Sequence, residues 1–338
     1  MEALYYHKHL DGKVTCMLCP HNCILKIDER GKCRVRINQQ GKLIAENYGL
    51  IPAMHLDPIE KKPLYHFYPG SSIFSIGSIG CNLSCGFCQN CDISQNEVKE
   101  FPGLSPYSPD KIVSIALSTA GNIGVAYTYN EPAIFYEFIR ETAPMVSEKG
   151  LKNVFISNGF IEEAPLAEII GFIDAFNIDL KSFDNGFYKT QTGGRVKPVL
   201  NTLERIRKSR KHLEITTLII PGLNDDITQF KSMVSWIRDN LGNKTVLHIS
   251  RYFPSYRFTL PPTPVETIMR LYEAAREQLT FTYLGNLMTG EGSDTYCPVC
   301  GSLMIKRSGY QTKIQGIDQG QCSSCYTPVT DFIKFYDS

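Results

Sequence analysis

Ile79-Gly80-Cys81-Asn82-Leu83-Ser84-Cys85-Gly86-Phe87-Cys88 closes an apolar, β-rich run, Ser72–Ile79, and opens into a loop. Its thiols are spaced C-x3-C-x2-C, so a single loop can bring all of them to one inorganic centre. Three thiolates can hold three corners of an iron–sulfur cubane and leave the fourth iron free to bind and activate a small molecule. The rival is a zinc knuckle with Cys91 as fourth ligand, because structural zinc takes four. The position after a strand, and the aromatic Phe87 ahead of the last thiol, favour the open cluster.

Outward from this loop, short β-rich runs alternate with longer helical patterns. The predicted strands are Ser72–Ile79, Ile123–Tyr129, Asn153–Ser157, Ala175–Leu180, Leu213–Ile220 and Thr245–Tyr252, with Thr280–Leu284 as a short edge run. The predicted helices are Pro109–Ala120, Pro132–Lys149, Glu162–Ile173, Pro198–Lys208, Ile227–Leu241 and Pro264–Leu279. Several open on proline, whose missing N–H costs nothing in a first helical turn. The alternation implies an α/β fold with a parallel sheet, a partial (β/α)6 TIM-like barrel; pattern alone leaves a doubly wound sheet open. Functional side chains then belong at the C-terminal strand ends. The proline-rich stretch Phe253–Pro264 reads as a loop suited to a lid or a substrate-facing surface.

The twelve cysteines fall into groups rather than pairs. Cys297, Cys300, Cys322 and Cys325 form two C-x2-C knuckles, the pattern of a zinc ribbon, with iron–sulfur or rubredoxin-like iron as the alternative. Cys16, Cys19, Cys23 and Cys33 make a complete ligand set for either zinc or an auxiliary 4Fe–4S cluster, and His21 could replace one thiol. The chain thus divides into a cysteine-rich cap over residues 1–70, a barrel over 71–290 and a zinc-ribbon-like segment over 291–338. The bulk properties are ordinary: 338 residues, 43% hydrophobic, 20% charged, formal net charge +1. Nothing in them points to nucleic acid or a membrane. Met1–Asp11 lacks the apolar run of a signal peptide, and grouped thiols suit a reducing compartment, so the expected location is the cytoplasm.

C-x3-C-x-aromatic-C after the first strand resembles the signature of the radical S-adenosylmethionine (SAM) superfamily. Further blocks resemble one branch, the AmmeMemoRadiSam system radical SAM enzymes, related to pyruvate formate-lyase-activating enzymes. They are Cys16-Met17-Leu18-Cys19-Pro20-His21-Asn22-Cys23, Gly31-Lys32-Cys33, Asp57-Pro58-Ile59-Glu60-Lys61-Lys62-Pro63-Leu64, Pro69-Gly70, Cys88-Gln89-Asn90, Tyr127-Thr128-Tyr129-Asn130-Glu131-Pro132, Ser157-Asn158-Gly159 and Asp179-Leu180-Lys181. The chain departs from that branch at Cys91, where an aromatic residue is usual; an open iron makes it a spare thiol. Relatives also carry Gly-Gly-Glu where Asn130 and Glu131 end the second strand here.

The resemblance implies a 4Fe–4S cluster on Cys81, Cys85 and Cys88 with SAM on its open iron. It places Phe87 against the adenine, Asn130 and Glu131 at the methionine ammonium, and Asn158, Asp179 and Lys181 at the ribose or carboxylate. Simpler roles stand beside these: packing for Phe87, a helix start for Glu131, an Asn-Gly turn for Asn158, a plain salt bridge for Asp179 and Lys181. His248 and Arg251 are weaker candidates, and Tyr283-Leu284-Gly285-Asn286 resembles the final strand of the family. The implied reaction is reductive cleavage of SAM and hydrogen abstraction from an unidentified substrate, with a protein among the candidates. The implied partners are an electron donor such as flavodoxin or ferredoxin, and Memo-family and AMMECR-family proteins. A glycyl-radical activase would leave a stable radical in its partner, and a non-enzymatic metal or electron-transfer scaffold would not bind SAM.

Overall fold

The structure, a computed structural model, describes residues 1–287 and 291–335. At its centre lies one sheet of eight strands: β1 (Ala53–Pro58), β2 (Ser72–Gly77), β3 (Asn122–Tyr127), β4 (Lys152–Ser157), β5 (Ala175–Asp179), β6 (His212–Ile219), β7 (Val246–Arg251) and β8 (Thr282–Gly285). β1 pairs antiparallel with β2, and every later neighbour pair is parallel. The strands follow chain order across the sheet without a reversal. A doubly wound sheet must reverse at its switch point, so this is the partial barrel.

Six helices join the successive parallel strands: α1 (Pro109–Ser118), α2 (Tyr136–Glu148), α3 (Glu163–Ile169), α4 (Val196–Lys208), α5 (Ile227–Leu241) and α6 (Val265–Arg276). Strands covered on both faces must be apolar almost throughout, and β2, Ser-Ile-Phe-Ser-Ile-Gly, is buried from Ile73 onward. In α4 the buried Val199, Leu200, Leu203 and Ile206 share one face at helical spacing, while Lys197, Arg205 and Lys208 are exposed. Ser108 caps α1 by accepting from the Lys111 N–H, with Pro109 in the first turn.

Two differences from the sequence reading have local causes. The segment Pro132–Lys149 is not one helix: a 3-10 turn, Pro132–Phe135, precedes α2, and the Glu131 carboxylate accepts from the Ala133 N–H to start it. β1 escapes the alternation rule because it is an edge strand whose His55 and Leu56 are both exposed; its pairing with β2 supplies what its pattern lacks. Residues 53–58 of the expected cap therefore belong to the main sheet.

Ahead of β1 the chain forms a small sheet of Tyr6–Lys8, Val14–Cys16 and Ile24–Leu25 and a hairpin of Arg36–Gln39 with Lys42–Ala45. After β8 it forms an antiparallel sheet of Thr295–Tyr296, Leu303–Ser308 and Gln311–Ile314 and a ribbon of Ile317–Asp318 with Gln321–Cys322. The connection from β1 to β2 joins this C-terminal part to the barrel. The buried Arg307 guanidinium lies 4.2 Å from the Tyr65 ring centroid and donates to the Tyr65 carbonyl at 2.7 Å. The Tyr65 and His66 N–H groups donate to Glu214 of β6 at 3.0 and 2.8 Å.

Candidate cluster and cofactor site

The cysteine loop leaves β2 at Gly77 and is held from both sides. Asn130, past the end of β3, accepts from the Ser78 N–H at 3.0 Å and donates to the Gly80 carbonyl at 2.8 Å. Gly80 has φ +87°, and a Cβ there would meet the Cys33 carbonyl oxygen at 2.5 Å. On the other side, the Arg257 N–H donates to the Gly86 carbonyl at 2.9 Å and the Ser255 hydroxyl to the Cys88 carbonyl at 3.2 Å. The proline-rich stretch thus packs directly against the loop. A Cβ at Gly86 would lie 2.5 Å from the Phe258 ring, so any larger residue there must displace that ring.

Cys81 and Cys85 sit where a neutral S–H is favoured unless a cation is near. Burial, with the Glu131 carboxylate next in effect, pushes Cys81 well above its ordinary value. Burial pushes Cys85 to about 11, against the pull of the Lys181 ammonium. The Leu83 N–H donates to Cys81 Sγ at 3.4 Å, and the Ser94 hydroxyl lies 3.1 Å from Cys88 Sγ. A metal centre supplies the positive charge that converts such thiols to thiolates. Around one zinc ion sulfurs stand about 3.8 Å apart. Among the described residues, three or more ligand atoms within 4.8 Å of one another occur at the C-terminal quartet and not at this loop. Cys91 Sγ lies 3.6 Å from Asp92 Oδ1. The donor set therefore fits a wider centre than a single zinc.

Glu131 is buried, and its carboxylate accepts from the Ala133 N–H, the Ser157 hydroxyl and the Asn158 N–H at 2.9, 2.7 and 2.8 Å. It stitches the end of β3 to the end of β4, and burial raises its pKa to about 7. A carboxylate offers about four acceptor positions, which leaves capacity for one more donor. Asn158 donates to Asn82 Oδ1 at 2.8 Å, lies 3.7 Å from Cys81 Sγ, and accepts from the Phe160 N–H at 2.8 Å. It is both the turn residue its Asn-Gly context suggests and a neighbour of the first thiol.

Asp179, the last residue of β5, and Lys181, two residues on, pair at 2.8 Å. Burial works against the Lys181 charge, but Asp179 and then Cys85 hold its pKa above the ordinary value. Phe87 is buried, with its ring centroid 5.5 Å from that of Phe258 and 6.1 Å from that of Phe187. These candidates all lie at the C-terminal ends of β2 to β5.

The weaker candidates lie elsewhere. His248 sits 2.6 Å from Glu214 in the buried network beneath the barrel, and Arg251 donates to the Thr263 carbonyl at 2.7 Å. Tyr283 hydrogen-bonds His66 at 2.6 Å and Thr295 at 2.8 Å. Asn82, Ser94, Ser255 and Phe258 belong to the site but escaped the sequence reading. Apart from the glycine at 86, nothing local marks them, since Ser255 meets Cys88 across 167 residues.

In the C-terminal quartet, Cys297 and Cys325 Sγ are 3.6 Å apart and Cys300 and Cys322 Sγ 3.7 Å. That is the spacing of tetrahedral zinc thiolates. The Ser302 hydroxyl and neighbouring N–H groups pull Cys322 down to about 6, favouring the ligating form.

Comparison with known proteins agrees with this geometry. The model of the radical SAM superfamily matches residues 75–234. "Uncharacterized protein MJ0808" of Methanocaldococcus jannaschii is 42% identical over 328 residues, 96% of this chain and 97% of the relative. The benzylsuccinate synthase activating enzyme of Thauera aromatica is 28% identical over 124 residues, 35% of this chain and 38% of that enzyme. In fold, Streptococcus suis SuiB bound to S-adenosylmethionine matches with a TM-score of 0.51 at 15% identity, covering 69% of this chain and 53% of SuiB. No helix among the described residues is long and apolar enough to cross a membrane. With the ordered parallel sheet and the three-thiol loop at its mouth, these matches establish that the chain belongs to the radical SAM superfamily and is a radical SAM enzyme related to the activating enzymes.

Proposed function

We propose that Cys81, Cys85 and Cys88 hold the 4Fe–4S cluster of this enzyme and that SAM binds its open iron at the mouth of the barrel. When bound, the cluster and SAM supply a 5′-deoxyadenosyl radical, by one-electron cleavage of the sulfonium, for hydrogen abstraction from a substrate. The observation that carries the reading is the Cys81 thiol, 3.7 Å from Asn158 in a loop pinned by Asn130 past the end of β3, with the buried Glu131 carboxylate near enough to raise its pKa.

The chain's own residues divide the work of holding the cofactor. Asn130 and Gly80 fix the start of the loop, and Ser255 and Arg257 hold its end. Glu131 has acceptor capacity for an ammonium, and the Asp179–Lys181 pair offers one charge of each sign to an amino-acid group. Phe87 presents an apolar ring to a base. Relation to the activating enzymes supports a protein substrate and a flavodoxin or ferredoxin as electron donor. The sequence blocks at Cys16–Cys23 and Asp57–Leu64 support membership of the AmmeMemoRadiSam branch, with Memo-family and AMMECR-family proteins as partners. Pull-down with the reconstituted enzyme tests that: recovery of neither protein counts against the branch reading.

Anaerobic reconstitution with iron and sulfide, then reduction in the presence of SAM, tests the central reading. Wild type is expected to release 5′-deoxyadenosine, and Cys85→Ala to fall to the enzyme-free background. Equal release from both would overturn the assignment.

A further inference from the structure

Cys16, Cys19, Cys23 and Cys33 do not pack like the C-terminal quartet. They surround a cavity of about 10 Å³ (the space a water's centre can reach), also lined by Leu18, Arg36 and Ile134. Around a zinc ion each sulfur lies about 2.3 Å from the centre, so four sulfurs fill the middle and admit no sphere the size of water. Here such a sphere fits. The described residues bring three or more ligand atoms within 4.8 Å of one another at Cys297, Cys300, Cys322 and Cys325, and not at these four thiols. A cubane spreads its thiolates around an inorganic core and needs that wider spacing.

Arg36 gives an independent indication. It is 1% exposed, pairs with the buried Glu137 and donates from Nη1 to Cys16 Sγ at 3.3 Å. Its Nε is buried and has no hydrogen-bond partner. A buried, unpaired donor is costly. A 4Fe–4S core bound by four thiolates is anionic, and its sulfides accept hydrogen bonds. A zinc ion would bring no acceptor atom of its own to that donor.

We infer that Cys16, Cys19, Cys23 and Cys33 hold a second 4Fe–4S cluster, ligated by protein at every corner, beside the loop that carries Cys81. The Cys33 carbonyl packs against Gly80, and His21 donates from Nε2 to the Asn82 carbonyl at 2.7 Å, so one layer of backbone separates the two cysteine groups. That hydrogen bond occupies His21 Nε2, and the four thiols complete the ligand set without it. With no iron left open, the chemistry available to this cluster is to accept and give up a single electron.

Metal and sulfide analysis of the full chain after anaerobic reconstitution tests the inference, together with EPR after reduction. Wild type is expected to hold about eight irons and about one zinc per chain. A variant carrying Cys81→Ala, Cys85→Ala and Cys88→Ala is expected to keep about four irons and an EPR signal that SAM does not change. The double variant Cys19→Ser with Cys33→Ser, which leaves only two of the four thiolates, is expected to lose about half of the wild-type iron. Wild type with about four irons and about two zincs, or a triple variant without iron, would overturn the inference. Failure of the first assignment looks different: wild type would then hold about four irons and the triple variant would keep them all.

Discussion

Gly80 shows how much one residue carries. Its φ of +87° is open to glycine and costly for other residues, and the space a Cβ would need is taken by the Cys33 carbonyl oxygen at 2.5 Å and Val35 Cγ1 at 2.7 Å. Gly80→Ala is therefore expected to destabilise the protein by at least about 2 kcal/mol, since strain and a backbone clash add. Chemical denaturation measures that cost, and iron content after reconstitution reports the displaced Cys81. Unchanged stability and iron content would mean the loop and the N-terminal segment do not depend on this contact. Asn130 acts from the other side: its two hydrogen bonds to Ser78 and Gly80 make it a positioning residue for the loop.

At the scale of the element, the C-terminal quartet lies in a segment with little core of its own, and a zinc ion bound there is expected to hold it together. Its buried residues, Cys297, Met304, Ile305, Cys322, Val329, Phe332 and Ile333, pack with Tyr65, Phe281 and Tyr283 of the barrel side. A structural zinc contributes on the order of 10 kcal/mol to the folding of such small elements. The expected result for Cys300→Ser, or for a strong chelator, is loss of a single zinc and rapid protease cleavage within residues 291–335. The barrel fragment should survive the digest. Cleavage at the wild-type rate after metal loss would show that docking through Arg307 and Tyr65 suffices to hold the segment.

Across the whole molecule, His66 links barrel, connection and C-terminal segment. The Phe332 carbonyl can only accept, so His66 Nδ1 donates to it at 3.0 Å and Nε2 accepts from the Tyr283 hydroxyl at 2.6 Å. The ring is thus neutral, and burial lowers its pKa from 6.5 to about 3. A base whose folded pKa is depressed gives its full stability above the unfolded value and loses it as the pH falls. The loss runs from pH 6.5 down towards about 3, at up to about 1.4 kcal/mol per pH unit. Denaturation of wild type and His66→Phe between about pH 7 and about pH 5 should show a shallower acid slope in the variant. Parallel slopes would assign the acid sensitivity to other groups.

Spacing along the chain determined which thiols can reach a common centre, because three or four ligands on one loop need no distant partner. It also determined the six strand–helix units, because burial on both faces of a parallel strand and on one face of a helix writes its own period. Tertiary structure decided the rest. The order of strands separated a barrel from a doubly wound sheet, and the distance between sulfurs separated the closed quartet at Cys297–Cys325 from the open set at Cys16–Cys33. Those are separations through space, set by residues such as Ile134, Asn158 and Phe258 that arrive from remote parts of the chain. A ligand motif states how many donors are present; the packing around them sets the size of what they can hold.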